Sequence, residues 1–205
     1  MEASTKEVIE KLAFLIEATD SYRVGRNVDF RKVENSMNGL SSLPILDAST
    51  KKKYKKVVES VINLPRKDRR AFIWAQLYLI FRFLTRIAFV GFLLSVGLIF
   101  YRNPFSGPLL LSSTAILYVA LIGRWYSLLK LLDFYEVEMK NQPGKDEFLK
   151  EFAQKLIEEL RSRMREQGVK PSKVKLHLFK RDYSGIRVLK KPGWLRDYYL
   201  VEVEI

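Results

Sequence analysis

The chain has no cysteine and only one histidine. Without cysteine, disulfide bonds, thiolate catalysis and cysteine-based metal sites are excluded. The single histidine, His177, falls on the polar phase of a short alternating stretch, with no carboxylate or hydroxyl partner fixed beside it. That position is typical of an exposed surface residue rather than of a catalytic base. No set of His, Asp and Glu has metal-ligand spacing, so we expect neither a metal nor another cofactor.

Motifs for phosphate binding and acid–base catalysis are also missing. The stretch Gly193–Asp197, GWLRD, lacks the strand, loop and helix context of a phosphate-binding loop. Glu158 and Glu159 are adjacent, so on a helix their side chains point about 100° apart and cannot act as a pair. We therefore predict that the protein is not an enzyme. No basic segment followed by an apolar one opens the sequence, so no cleaved signal peptide is expected.

Two long apolar runs occupy the middle of the chain. The first is Ile87–Tyr101 and the second is Leu109–Gly123, with a short turn between them. As a helix, each run of about 15 residues would be roughly 22 Å long, short of a hydrocarbon core of about 30 Å. Apolar residues continue beyond the flanking arginines, over Ala71–Phe81 and Trp125–Tyr135. The pattern predicts a transmembrane hairpin with spans of about 83–101 and 107–124, rather than core helices of a soluble bundle.

Basic and aromatic residues border both runs, as expected at membrane–water interfaces. Lys and Arg can extend their charged ends to the lipid headgroups, so a basic residue need not end a span. Trp and Tyr are enriched at the same depth. The predicted interface anchors are Trp74, Arg82, Arg86, Tyr101, Arg102, Arg124, Trp125 and Lys130.

The net charge of +13 is concentrated in front of the first run. Residues 51–86 hold eleven basic and two acidic side chains, a net charge of +9, whereas the turn carries only Arg102. Basic residues close to spans are retained in the cytoplasm. We therefore expect a multi-pass protein of the cell (plasma) membrane, with both termini in the cytoplasm and the turn on the other side.

The basic segment before the first run has three interpretations. It sets topology alone, it attracts anionic lipid at about 1 kcal/mol per basic residue, or it docks on phosphates of RNA, DNA or a ribosome. Tyr54 is the only aromatic residue in residues 51–70, so stacking platforms for single-stranded nucleic acid are missing, and lipid is favoured over nucleic acid. The residues expected to contact anionic lipid or phosphate are Lys51, Lys52, Lys53, Lys55, Lys56, Arg66, Lys67, Arg69 and Arg70.

Small residues recur within both apolar runs. Gly91 and Ser95 lie four residues apart in the first run, and Ala120 and Gly123 lie in the second. Small side chains let two membrane helices approach closely. The hairpin's own helices are expected to pack through them, and contact between copies in a homo-oligomer is the alternative. No acidic, Lys or Asn side chain lies at mid-run, so no relay for ions or protons is visible.

Residues 1–65 are predicted to form three short helices that lie in the cytosol. The apolar spacing suggests N-caps at Ser4 or Thr5, at Asp29, and at Ser49 or Thr50. A bundle of about 65 residues is marginal as an independent domain. We expect it to pack against the membrane, the C-terminal domain or a second copy of itself.

Residues 141–205 change from helical to alternating periodicity. The stretch Asn141–Lys145 is predicted to be a boundary loop, with Asp146 as the cap of a helix that ends before Gly168. Three alternating segments follow. The predicted fold is an integral membrane protein with a helical segment (1–65), a transmembrane hairpin with helical extensions (66–140) and a C-terminal cytosolic α+β domain (141–205). That domain should have one helix on a three-stranded, mostly antiparallel sheet and should fold by itself.

These observations favour a non-catalytic membrane anchor, scaffold or accessory subunit that holds cytosolic modules at the bilayer. Its partners would be the bilayer, with anionic lipid, and a protein bound at the C-terminal domain. One alternative is a membrane-biogenesis factor that docks on a ribosome or nucleic acid. A second is an oligomeric pore or transport accessory protein.

Overall fold

The computed structural model describes residues 5–26, 28–193 and 196–205. The helices are α1 (Thr5–Arg23), α2 (Phe30–Gly39), α3 (Ala48–Ile62), α4 (Arg69–Phe100), α5 (Ser106–Asn141) and α6 (Pro143–Glu166). The strands are β1 (Lys175–Leu178), β2 (Ile186–Lys190) and β3 (Tyr199–Val203). The chain divides into two compact units. Residues up to Ile62 and from Tyr135 onward form an α+β unit, and Asn63–Phe134 form a two-helix unit.

The N-terminal helices begin close to where the sequence predicts, with two differences in their caps. Asp29 caps α2 as predicted, since its carboxylate accepts a hydrogen bond from the Arg31 backbone N–H at 3.1 Å. Thr5 is already helical, so it is not the cap of α1, and Ser4 lies outside the described residues. The cap of α3 is Asp47 rather than Ser49 or Thr50, because its carboxylate accepts from the Thr50 N–H at 3.0 Å.

Helix α6 begins earlier than predicted. Pro143 opens it, because a proline in the first turn needs no N–H partner and has a φ suited to a helix. Only Gln142 separates α5 from α6, so the predicted boundary loop is almost entirely helical. Asp146 lies in the first turn and is not the cap. The C-terminal end agrees with the prediction: Gly168 has a φ of +61°, which a glycine adopts without strain.

The sheet is three-stranded and antiparallel, as predicted, with the order β1-β3-β2. Leu176 pairs with Val201 on the face that is buried. On the other face Lys175 lies opposite Glu202, and Arg187 forms an ion pair with the same carboxylate. Side chains of opposite charge thus face one another across neighbouring strands.

The N-terminal helices and the C-terminal α+β segment share one core. Helix α1 packs against α6 and β1. The ring of Tyr54 in α3 lies 4.6 Å from that of Phe152 in α6, and the Tyr54 hydroxyl is 3.0 Å from that of Thr19. All three side chains are buried. Packing against the C-terminal domain was one of the three expectations for residues 1–65, and the structure shows these contacts.

The end of α5 belongs to the same core. Tyr135 and Met139 are buried there, and the Tyr135 ring lies directly on Gly25. Gly25 has a φ of +73°, and a Cβ at this position would overlap the ring. The turn after α1 therefore requires glycine for its backbone conformation and for the space that the tyrosine occupies.

The two-helix unit contains α4 and most of α5. Asp68 caps α4 by accepting from the Ala71 N–H at 2.8 Å. Neighbouring residues across the two helices are Trp74 with Tyr126, Tyr78 with Arg124, Phe81 with Gly123, and Gly91 with Ser113. Residue numbers rise along one helix as they fall along the other, so the two helices lie antiparallel.

Candidate functional site

The two-helix unit has a long apolar surface that the rest of the unit leaves uncovered. Helices α4 and α5 have 32 and 36 residues, and both are long and apolar enough to cross a membrane. In the most apolar window of each helix only 11% of the residues are buried. Phe83, Leu94 and Tyr118 are 62%, 59% and 67% exposed. A core helix of a soluble protein would bury such side chains, since each gains about 1.5–3 kcal/mol from leaving water.

Polar side chains inside these helices are satisfied by the backbone of their own helix. Thr85, Ser95, Ser113 and Ser127 each donate a hydroxyl hydrogen bond to a carbonyl three or four residues earlier, at 2.6–3.1 Å. Such bonds remove the cost of placing a hydroxyl in an apolar medium. The helices can therefore lie in hydrocarbon without leaving these four hydroxyls unpaired.

The predicted interface anchors lie in the turn and at several positions along α4 and α5. Tyr101 and Arg102 lie in the turn, where both are exposed and Arg102 has a φ of +50°. Toward the other end, the Arg124 guanidinium lies 5.8 Å from the Tyr78 ring centre. Among the remaining predicted anchors, Trp74 lies near the start of α4, whereas Arg82 and Arg86 lie near its middle. Trp125 and Lys130 lie at and just beyond the middle of α5, and all five side chains are partly or fully exposed. About 23 residues separate Tyr78 from Tyr101, a helical distance of roughly 35 Å.

The predicted packing residues lie on facing sides of the two helices. Ser95 and Ala120 are fully buried. A Cβ at Gly91 would meet the Ser113 Cβ at 3.4 Å, and a Cβ at Gly123 would overlap the Phe81 ring. The small residues thus lie where α4 and α5 approach closely. Phe81 also packs there, although the spacing of small residues does not predict it.

The predicted basic contact residues are divided between the two units. Lys51, Lys52, Lys53, Lys55 and Lys56 lie on α3, and Arg66, Lys67, Arg69 and Arg70 lie at the start of the two-helix unit. All are exposed except Lys51, which is partly covered. Lys53 lies over the Phe148 ring at 4.5 Å, and Lys55 forms an ion pair with Glu34 at 3.4 Å. The other side chains in this set have no protein partner among the residues that the structure describes.

A buried ionic network in the α+β unit was not foreseen from the sequence. Arg23, with 1% of its side chain exposed, makes paired hydrogen bonds with Asp146 at 2.7 and 3.1 Å and with Asp182 at 2.8 and 2.8 Å. Its guanidinium also donates to the Tyr183 hydroxyl at 2.9 Å, and that hydroxyl donates to Asp20 at 2.8 Å. The network joins α1, α6 and the loop between β1 and β2. No periodicity could signal it, because Arg23 lies more than 120 residues from Asp146 and Asp182.

The environments of the carboxylates in this network shift their pKa values in opposite directions. Burial raises the pKa of Asp20 to about 6, against the effect of the backbone N–H groups that bind its charged form. The hydrogen bonds from Arg23 lower the pKa of Asp182 to about 2. Hydrogen bonds to Asp182 and Asp146 raise the pKa of Arg23 despite its burial, so the guanidinium stays charged.

The free edge of β1 is covered by carboxylates of α1. Glu17 accepts the His177 backbone N–H and contacts the His177 ring, both at 2.8 Å. Asp20 accepts the backbone N–H groups of Phe179 and Lys180. His177 is thus an exposed strand residue held by an acidic neighbour. The carboxylates satisfy backbone donors that would otherwise be open to pairing with another strand.

Within the described ranges, no group of three or more His, Asp or Glu side chains is placed to hold a metal ion. Comparison with family models, curated proteins and solved structures finds no match to this chain.

Proposed function

We propose that this protein is a multi-pass protein of the cell membrane whose two-helix unit anchors the α+β unit at the cytoplasmic face of the bilayer. In this proposal α4 and α5 form a transmembrane hairpin with spans of about 83–101 and 107–124. The protein acts as an anchor, scaffold or accessory subunit and not as an enzyme. The α+β unit is the part that binds a protein partner.

The exposure of apolar side chains on two long antiparallel helices carries this proposal. The helices are roughly 48 and 54 Å long, enough to cross a hydrocarbon core of about 30 Å and extend beyond it. The hydroxyls of Thr85, Ser95 and Ser127 donate to carbonyls of their own helix, as lipid requires.

Orientation is supported by two independent observations. The segments that precede and follow the hairpin fold into one α+β unit, so both ends of the hairpin emerge on the same side of the bilayer. The basic residues Arg66, Lys67, Arg69, Arg70 and Arg82 precede or begin the first span, whereas the turn has only Arg102. By the positive-inside preference, that side is the cytoplasm.

The absence of native cysteine gives a direct test, because every introduced thiol is a unique reporter. Single cysteines would be placed at Ser41 and Ser172 in the α+β unit, at Gly107 in the first turn of α5 and at Leu94 in α4. All four positions are exposed in the structure. A membrane-impermeant maleimide added to intact cells should label G107C alone, and lysis should add S41C and S172C.

The L94C variant shows whether this part of α4 lies in lipid or in water. Leu94 is exposed, so in water its thiol would react as readily as that of S172C. In a bilayer it should react only after denaturation. Rapid labelling of L94C in lysed cells contradicts membrane insertion, and labelling of S41C and S172C from opposite sides contradicts the hairpin.

A further inference from the structure

Helix α3 carries its basic residues where they oppose helix stability. Lys51, Lys52 and Lys53 lie in its N-terminal half, close to the positive end of the helix dipole. There is no acidic residue in its first turn and no basic residue in its last. The capping carboxylate of Asp47 offsets part of this arrangement, and its hydrogen bonds to Thr50 lower its pKa.

Like charges also face one another along the same helix. Lys51 and Lys55 are four residues apart, as are Lys52 and Lys56, and each such pair costs about 0.2–0.5 kcal/mol of helix stability. The other long helices of the α+β unit follow the opposite rule. Helix α1 has Glu7 in its first turn and Arg23 in its last, and α6 has acidic and basic residues at the same respective ends. Within the part of the unit that the structure describes, no ion pair explains the charges of Lys51, Lys52 and Lys56.

The lysines of α3 differ in what they contact within the protein. Lys53 and Lys55 lie against Phe148 and Glu34. Lys52 and Lys56 are exposed and have no ion pair or hydrogen bond with any part of the chain that the structure describes. They share one face of the helix with Ser49, since these residues are three and four positions apart.

We propose that the face of α3 formed by Ser49, Lys52 and Lys56 docks on the anionic headgroups of the lipid bilayer. This inference rests on the proposed membrane anchoring. Six residues, Asn63–Asp68, separate the end of α3 from α4, so the chain itself keeps the end of α3 within about 25 Å of the start of α4. An anionic surface relieves the repulsion within each Lys pair and adds attraction of about 1 kcal/mol per lysine.

The test uses the full chain in nanodiscs, with a single S49C thiol carrying a fluorophore and with quencher lipids labelled in the headgroup. Quenching should be weak in zwitterionic lipid, increase when phosphatidylserine is added and fall as salt is raised. The K52Q/K56Q change should lower the ratio of docked to undocked helix roughly 10- to 30-fold. The matched variant K170Q/K173Q removes the same charge from exposed positions outside α3 and should change quenching much less.

Three further readouts make the outcome decisive. The thermal midpoint of K52Q/K56Q should be unchanged or higher, because like-charge pairs are removed, so a loss of docking would not reflect unfolding. An L94C fluorophore with acyl-chain quenchers reports the hairpin, and its failure to be quenched overturns anchoring and docking together. If L94C is quenched but S49C is insensitive to phosphatidylserine, the docking inference alone is overturned. Salt-resistant RNA binding that K52Q/K56Q abolishes, with S49C still insensitive to lipid charge, also overturns it.

Discussion

Arg23, in the first helix, forms two hydrogen bonds of 2.8 Å with the carboxylate of Asp182, which lies 159 residues later in the chain. Asp146 binds the same guanidinium from α6. A side chain that precedes the hairpin in sequence is thus held by two that follow it. The pairing closes the α+β unit around the insertion of Asn63–Phe134.

Replacing Arg23 with methionine should strongly destabilise the α+β unit. The change leaves Asp146 and Asp182 without their shared cation and removes a donor to Tyr183. Loss of one partner of a buried ionic network costs about 3–5 kcal/mol, and the partial exposure of both aspartates favours the lower value. Denaturant unfolding of the purified protein measures this loss.

The matched control for Arg23 is Arg31→Met. Arg31 is an exposed arginine in α2 for which the structure gives no side-chain partner among the described residues. The change should alter the free energy of unfolding by about 0.5 kcal/mol or less. Similar losses in both variants would mean that the network contributes nothing specific.

Residues 141–205 should not fold without α1. The sequence alone suggested a self-contained domain, yet α6 and β1 pack against α1, and the apolar face of α1 includes the fully buried Leu12 and Ile16. Expressed alone, residues 135–205 should aggregate or show poorly dispersed amide resonances. Co-expression with residues 1–62 should give a soluble complex that co-purifies. A fragment 135–205 that is folded by itself would refute this expectation.

The stability of the α+β unit should depend on Asp20 between about pH 4 and pH 7. The folded pKa of about 6 lies above the ordinary value of 3.8, so the folded state binds the extra proton in this interval. The contribution of Asp20 is therefore largest below about pH 4 and is lost as pH rises through 6. The contribution of Asp182 to stability is instead lost as pH falls, because its folded pKa of about 2 lies below the ordinary value of 3.8. Its effect is therefore confined to pH values below 3.8.

The measurement compares the wild type with Asp20→Asn, because other carboxylates titrate in both proteins. Over this interval the free energy of unfolding of the wild type should fall relative to that of the variant by on the order of 1–3 kcal/mol. Parallel pH profiles would show that Asp20 is already ionised throughout the interval in the folded protein.

Local patterns predicted the helices and the strands, but the contacts that join them could not be obtained in the same way. The cap at Asp29 and the end at Gly168 follow from chemistry within a few residues. The sheet order places β3 in the centre, whereas the alternation of three strands permits more than one order. Asp146 looked like a cap by spacing, but its partner is Arg23, which no local pattern connects to it.

The candidate membrane surface could be predicted from the sequence, whereas the ionic network could not. The apolar runs, and the small residues Gly91 and Gly123 within them, can be read directly from the sequence. They lie on helices long enough to be predicted from the sequence alone. The packing of Phe81 on Gly123 could not be predicted, because the sequence does not show which glycine an aromatic residue in an apolar run will contact. The division of the α3 lysines into partnered and unpartnered ones likewise needed the tertiary fold.

Close packing of α4 on α5 should require glycine at position 123 but not at position 97. A side chain at Gly123 would overlap the Phe81 ring, whereas a Cβ at Gly97 meets no atom within 4 Å. Gly123→Leu should therefore separate the helices, at a cost of about 1–3 kcal/mol or more from overpacking. Gly97→Leu adds the same side chain at a site that faces away from the partner helix and should be tolerated.

A disulfide provides the readout for this packing, since the protein has no other cysteine. The Cβ atoms at positions 91 and 113 lie 3.4 Å apart, close to the separation that a disulfide requires. Mild oxidation of G91C/S113C in membranes should produce a bond between the helices, detected as a change in gel mobility that reductant reverses. Adding Gly123→Leu should slow its formation, and adding Gly97→Leu should not. Equal rates in the two triple variants would show that the Phe81–Gly123 contact does not control the approach of the helices.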